Sequence, residues 1–142
     1  MRREFWQALR PYQWVKGVFI VLPLVFGGQL LNPAAVAKTL FMVILFALAS
    51  SAVYLINDIL DIEEDRHHPE KKKRPLASGS ITLRQAGQMA FALLAFALSG
   101  AFLLDIKAGL IIALYLSLNY FYSCYLKKIV IIDVFCVGAF YY

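Results

Sequence analysis

Residues 39–56 read TLFMVILFALASSAVYLI, an apolar run without a charge, and residues 57–65 follow directly as NDILDIEED. A hydrocarbon core of about 30 Å takes roughly 20 helical residues, with a range of about 17–25. The run has that length, and Lys38 can snorkel to extend the span back to about residue 36. An apolar helix that leaves a membrane straight into a row of acids is therefore the organising feature of the chain.

Outward from this stretch the same pattern recurs. Uncharged windows near 17–31, 85–104 and 108–126 are further spans, and 129–142 opens a fifth that stops inside an apolar run at Tyr142. Composition agrees: 61% of the 142 residues are hydrophobic, 16% are charged, and the mean hydropathy is +0.68. Soluble domains hold roughly 45–50% apolar residues. Four such windows in so short a chain would leave almost no polar surface, which excludes a soluble domain, a disordered chain and a disulfide-stapled module. Pro23 and the Gly27-Gly28 pair inside the first window fit a membrane bundle, where neighbouring helices satisfy freed backbone groups. No small-residue cleavage site follows that window, so it reads as a span and not as a signal peptide. Cys124 and Cys136 lie in or beside apolar stretches without metal-ligand spacing and read as small buried hydrophobes. The expected organisation is one all-α membrane domain over 1–142 with a loop at 57–84.

The net charge of +5 comes from 14 Lys and Arg against 9 Asp and Glu. Arg2, Arg3, Arg10 and Lys16 precede the first window; Arg66, Lys71, Lys72, Lys73, Arg74 and Arg84 follow the second; Lys127 and Lys128 follow the fourth. Only Lys38 and Lys107 fall on the other side. That asymmetry predicts a multi-pass membrane protein with its N-terminus and the 57–84 loop in the cytoplasm. The positive charge records topology, and no nucleic-acid partner is expected.

The loop carries the chemistry. Asp58, Asp61, Glu63, Glu64 and Asp65 crowd five carboxylates together. If the helix continues, Asp58, Asp61 and Asp65 share one face within an arc of roughly 60°. Asn57 adjoins that face, and Glu63 and Glu64 point elsewhere. Like charges on one face repel, and a bound cation is the simplest reason to tolerate them. Hard oxygen ligands favour Mg²⁺ or Ca²⁺. Pro69 turns the chain at His68, and Lys71, Lys72, Lys73 and Arg74 then face the acids. Carboxylates holding a divalent ion beside Lys and Arg suit a pyrophosphate. Lys72 and Lys73 can equally contact anionic lipid headgroups.

These residues resemble the first aspartate-rich motif of the UbiA superfamily of intramembrane transferases. Asn57, Asp58, Asp61 and Asp65 match N-D-x-x-D-x-x-x-D, and Arg74 to Gly79 match R-P-L-A-S-G. Within the superfamily, the chain is most similar to the decaprenyl-phosphate phosphoribosyltransferase branch. Leu9-Arg10-Pro11-Tyr12-Gln13-Trp14-Val15-Lys16 resembles its opening L-R-P-x-Q-W-x-K, with Gly17 where the branch usually has Asn. Asp65-Arg66-x-His68-Pro69-x-Lys71-x-x-Arg74-Pro75 resembles its extended loop. Tyr122-Ser123, Leu126-Lys127 and Asp133 resemble its Y-S-x-x-L-K…D stretch.

The resemblance implies a bundle of about nine helices, of which four to five are expected here. A second aspartate-rich motif is expected beyond Tyr142, and the 142 residues alone are expected to be inactive. It also implies Mg²⁺-dependent transfer of 5-phosphoribose from phosphoribosyl pyrophosphate to a polyprenyl (decaprenyl) phosphate, in cell-wall arabinan precursor synthesis. Asp58, Asp61 and Asp65 would be the Mg²⁺ ligands with Asn57 assisting. Arg66, His68, Lys71 and Arg74 would contact pyrophosphate, although His68 could instead cap its turn. Arg10, Gln13, Lys16, Tyr122, Lys127 and Asp133 are candidates for the lipid phosphate or the cavity. Asp133 is expensive in a membrane and so a candidate by default. Trp14 reads as an interfacial anchor and Asn119 as interhelical glue. The lipid bilayer is the other expected partner, and self-association into a homo-oligomer stays open. Two alternatives stand beside this reading: a UbiA-type prenyltransferase moving an isoprenoid from its diphosphate to an aromatic or other acceptor, and a non-enzymatic membrane scaffold or transporter fragment.

Overall fold

A computed structural model describes residues 2–126. The elements are helices α1 (Arg2–Ala8), α2 (Val18–Phe26), α3 (Pro33–Leu60), α4 (Ile62–His67), α5 (Leu83–Leu104) and α6 (Ile106–Cys124). Two 3₁₀ turns, Pro11–Gly17 and Lys71–Lys73, join them. No strand occurs among the described residues. The fold is an all-α membrane bundle in which α3, α5 and α6 are long and apolar enough to cross a bilayer. The fifth window, 129–142, and Cys136 lie outside the described residues.

Local chemistry sets the helix boundaries. Asn32 accepts hydrogen bonds from the backbone N–H of Ala34 and Ala35, and Pro33 occupies the first helical position of α3. Thr82 and Gln85 form a reciprocal capping box that starts α5 two residues ahead of the uncharged window. Asp105 breaks the chain between α5 and α6 with an extended backbone and caps α6 through the Lys107 N–H. The 28 residues of α3 extend about 42 Å at 1.5 Å per residue. This exceeds the hydrocarbon thickness, so one end of α3 overhangs the apolar layer.

The window 17–31 holds the nine-residue α2 instead of one continuous spanning helix. Gly27 closes α2 with a bond from its N–H to Pro23 O, and Gly28, at φ +66°, takes the left-handed position that turns the chain. Gly17, ahead of α2, is buried. A Cβ there would stand 3.0 Å from Val43 Cγ1, so a larger residue requires that side chain to give way by a few tenths of an ångström.

Two apolar clusters hold the bundle. At mid-depth Leu45, Ala49, Ala97, Ala101 and Ile112 interlock α3, α5 and α6. Gly100 lets α5 approach closely: a Cβ there would meet Leu45 Cδ2 at 2.7 Å. Small residues at such a crossing replace the missing hydrophobic drive with close van der Waals packing. At the charged end Ala8, Leu55, Leu76, Ile81, Ala86 and Ala90 gather α1, α3, α5 and the 68–82 loop. Exposed Phe91, Phe96, Leu103, Leu110 and Leu114 give α5 and α6 an apolar outer face. The second cluster is what folds the loop back over the end of α3, where the acids are.

Candidate active site

Asp61 is the hinge of the acidic run. Its backbone leaves the helical region as α3 ends, yet its N–H still bonds Asn57 O, and the Asp65 N–H bonds Asp61 O. Helical register therefore survives the joint, and Asp58 and Asp65 come to the same side. Both are buried, at 4% and 1% exposure. Two buried carboxylates need positive partners, because an unpaired buried charge is very costly.

Arg74 supplies one. Its Nη1 donates to Asp58 Oδ1 at 3.1 Å and to Asp65 Oδ2 at 2.6 Å. Arg10 supplies the other, with Nη2 donating to Asp58 Oδ1 at 2.5 Å. Lys71 Nζ stands 3.9 Å from Asp65 Oδ1. That oxygen is buried and accepts no hydrogen bond. An orphaned carboxylate oxygen beside a second carboxylate suits a cation that uses one or two carboxylates and otherwise keeps water and phosphate oxygens, as Mg²⁺ does. A cage of three or more His, Cys, Asp or Glu ligands does not occur among the described residues.

The 9–16 segment is laid across the same face of α3. Ser51 Oγ accepts from Trp14 Nε1 at 2.9 Å and lies 2.8 Å from Leu9 O, to which it can donate. Tyr54 donates to Gln13 Oε1 at 3.1 Å and accepts from Lys16 Nζ at 3.2 Å. The Arg10 guanidinium lies over the Tyr54 ring, 4.8 Å from its centroid. Ser51, Tyr54 and Asp58 are spaced three and four apart, so each presents a rung on one helix face. Arg10 itself has φ 50° and ψ 59°, and it is the non-glycine residue with positive φ among those described. A left-handed backbone costs an L-residue about 1–2 kcal/mol, and here it aims the side chain at Asp58.

Several sequence candidates take other places. Arg66 turns away and pairs with Glu63 at 2.8 Å on the exposed side of α4. His68 Nδ1 accepts from the N–H of Glu70 and of Lys71, both at 3.2 Å, and so caps the turn that presents Lys71. Trp14 packs edge-on against Trp6 and is tied to Ser51. Asn57 Oδ1 accepts from Ser123 Oγ at 2.6 Å, which fastens the last turn of α6 to that of α3. Tyr122 is half-buried beside it on α6. Asn119 bonds Tyr115 O on its own helix. Lys127 and Asp133 lie outside the described residues. Ser51, Tyr54 and Ser123 were not singled out as functional by the sequence. The signal for Ser51 and Tyr54 was a polar residue inside an apolar window at helical spacing from Asp58; that for Ser123 was its place in the Tyr122-Ser123 motif.

Next to Asn57, between α3, α5 and α6, lies a cavity of about 340 Å³. Val53, Ile56, Leu94, Leu98 and Leu116 make it apolar, while Asn57 and Asn119 add amide groups. The cleft opens on the Val53–Ile56–Asn57 side of α3, around the helix from the face that carries Ser51, Tyr54 and Asp58.

Known proteins resemble this chain over most of its length. A sequence model described as the UbiA prenyltransferase family matches residues 18–142. An uncharacterised protein, y4nM, of Sinorhizobium fredii is 37% identical over 137 residues, covering 96% of this chain and 27% of its own. A decaprenyl-phosphate phosphoribosyltransferase of Mycobacterium tuberculosis is 35% identical over 139 residues, covering 95% of this chain and 46% of its own. The chain thus spans less than half the length of these relatives. A solved structure from work on digeranylgeranylglyceryl phosphate synthase in membranes superposes with a TM-score of 0.77 at 24% identity, covering 89% of this chain and 44% of that one. With its helical bundle and the span of the family match, the chain belongs to the UbiA prenyltransferase family of membrane transferases.

Proposed function

We propose that the protein of which this chain forms part transfers 5-phosphoribose from phosphoribosyl pyrophosphate to a polyprenyl phosphate, with Mg²⁺ as cofactor. The carrying observation is the convergence of Arg10, Arg74 and Lys71 on Asp58 and Asp65 at the end of an apolar bundle. Similarity to a phosphoribosyltransferase over 95% of the chain supports the choice of donor. Placement in cell-wall arabinan precursor synthesis, and a loop facing the cytoplasm, belong to the same proposal.

The chemistry required is modest. A phosphate monoester is already ionised at neutral pH, so an oxygen of the lipid phosphate can attack the anomeric carbon without a general base. Pyrophosphate departs, and its charge must be met. Asp65, through its orphaned oxygen, and Asp58 beside it would hold Mg²⁺, which would supply charge neutralisation on the departing group; Asp61, the third expected ligand, does not join them in a three-acid group among the described residues. Arg74 offers a planar fork to phosphate oxygens and Lys71 a point charge. His68 acts through the turn it caps, keeping Lys71 directed inward.

The test is an assay of the full-length membrane protein with radiolabelled phosphoribosyl pyrophosphate and a polyprenyl phosphate. A labelled lipid that forms only with Mg²⁺ is expected. Absence of that lipid, together with transfer of isoprenoid when a prenyl diphosphate and an aromatic acceptor are supplied, would overturn the reading in favour of prenyl transfer. Inactivity towards both donors would leave the scaffold reading.

A further inference from the structure

Tyr54 touches three residues of the 9–16 segment, Arg10, Gln13 and Lys16. Its ring lies under the Arg10 guanidinium at 4.8 Å and near Lys16 Nζ at 5.9 Å, and its hydroxyl joins Gln13 Oε1 to Lys16 Nζ. Lys16 has no carboxylate within ion-pair distance among the described residues, and Gln13 is half-buried. A long, flexible lysine normally samples many rotamers, and losing that freedom has an entropic cost. Here a hydroxyl and an aromatic face hold an uncompensated cation in one place.

That place is separated from the carboxylates. Tyr54 precedes Asp58 by four residues on α3, about 6 Å along the helix axis. Arg10 spans the gap, with one face on the Tyr54 ring and Nη2 on Asp58. Lys16 Nζ and the Gln13 amide are therefore gathered on the bundle side of the carboxylates. A transfer between two phosphorylated molecules needs two anion seats with the reacting carbon between them.

We propose that Tyr54 is a positioning residue that sets Lys16 and Gln13 as the seat for the phosphate of the lipid acceptor, apart from the Asp58–Asp65–Arg74 cluster. This rests on the phosphoribosyl-transfer reading. Tyr54 does no chemistry itself; removing its hydroxyl frees Lys16 and leaves Gln13 Oε1 without its donor, while the ring stays under Arg10.

Binding separates this role from turnover and from general structure. The full-length protein in detergent is titrated with radiolabelled farnesyl phosphate, and separately with radiolabelled pyrophosphate plus Mg²⁺; unlabelled farnesol and inorganic phosphate serve as competitors. Tyr54→Phe is expected to weaken farnesyl phosphate about 5–10-fold, the effect of one lost hydrogen bond with its ordering, and to leave pyrophosphate within about twofold. Lys16→Gln, at an exposed position, should weaken farnesyl phosphate similarly. The double variant should be no weaker than Lys16→Gln alone, because the hydroxyl acts through the lysine. Farnesol should compete with wild type and Tyr54→Phe equally, whereas inorganic phosphate should displace farnesyl phosphate only from wild type at matched concentration. Equal loss of pyrophosphate binding, multiplying single effects or no saturable farnesyl phosphate binding by wild type would each overturn the proposal. The expected binding pattern without a phosphoribosylated lipid in the transfer assay would instead overturn the transfer reading and leave Tyr54 in place.

Discussion

Arg10 reaches Asp58 across 48 positions of sequence, and it does so from a left-handed backbone that no glycine provides. Strain at one residue is thus balanced by a charge-assisted bond at another, an arrangement that over-determined surroundings sustain at functional sites.

The two contributions separate by substitution. Arg10→Ala should lower stability by about 2–3 kcal/mol, because it keeps the strained backbone and deprives a buried carboxylate of one partner. Arg10→Gly loses the same side chain but relieves the backbone, and should be milder than Arg10→Ala by about 1 kcal/mol. Thermal unfolding of the two variants in one detergent measures the difference. Equal loss would show that the backbone of Arg10 carries no strain.

Arg74 and Lys71 should behave differently although both face Asp65. Arg74→Ala leaves Asp65 Oδ2 without its donor and Asp58 with Arg10 alone, and should cost about 3–5 kcal/mol. Lys71 is 43% exposed and 3.9 Å away, so Lys71→Ala should cost under about 1 kcal/mol. If Lys71 is a phosphate contact, its loss should appear in transfer: weaker donor binding with nearly unchanged melting temperature.

Metal removal gives a third expectation. In the transfer assay EDTA should abolish product, and added Mg²⁺ should restore it. Asp65→Asn preserves the shape of the side chain but removes the charge that its orphaned oxygen contributes, and it should lower the rate by at least about 100-fold. Rate retained in Asp65→Asn at saturating Mg²⁺ would remove Asp65 from the ligand set.

Ser51 and Trp14 supply a fourth. Ser51 is fully buried and ties Trp14 to the side of α3. Ser51→Ala and Trp14→Phe should each destabilise by about 1–2 kcal/mol. The double variant should fall short of their sum by about 1 kcal/mol, the coupling expected of one shared bond. Full additivity in urea or thermal unfolding would show that the bond contributes nothing.

The sequence displayed the long helices because membrane thickness leaves a length signal that few other constraints imitate. It displayed Asp58, Asp65, Lys71 and Arg74 because charge beside an apolar run has to be explained. What it hid was tertiary. The first window looks like a span, but Pro23 and the Gly27-Gly28 turn end α2 after nine residues. Arg66 stands in the middle of the motif, yet it is three residues from Glu63 on an exposed helix face and takes that local partner. Pro11 marks a break at Arg10, but the partners its side chain meets there, the Tyr54 ring and Asp58, lie more than forty residues away in sequence. Ser51 and Tyr54 resembled ordinary tolerated polar groups in a span until the 9–16 segment was found lying across them.

The bond between Asn57 and Ser123 joins residues 66 positions apart, and that separation has a temporal side. At roughly 5–20 residues per second a ribosome needs about 3–13 s to pass from one to the other. Asp58 meets Arg74 after only 16 further residues, about 1–3 s by the same rate. Arg74 is thus synthesised in time to meet the acids several seconds before the chain that will fasten the end of α3 exists, so the partners of this one helix end become available in two stages.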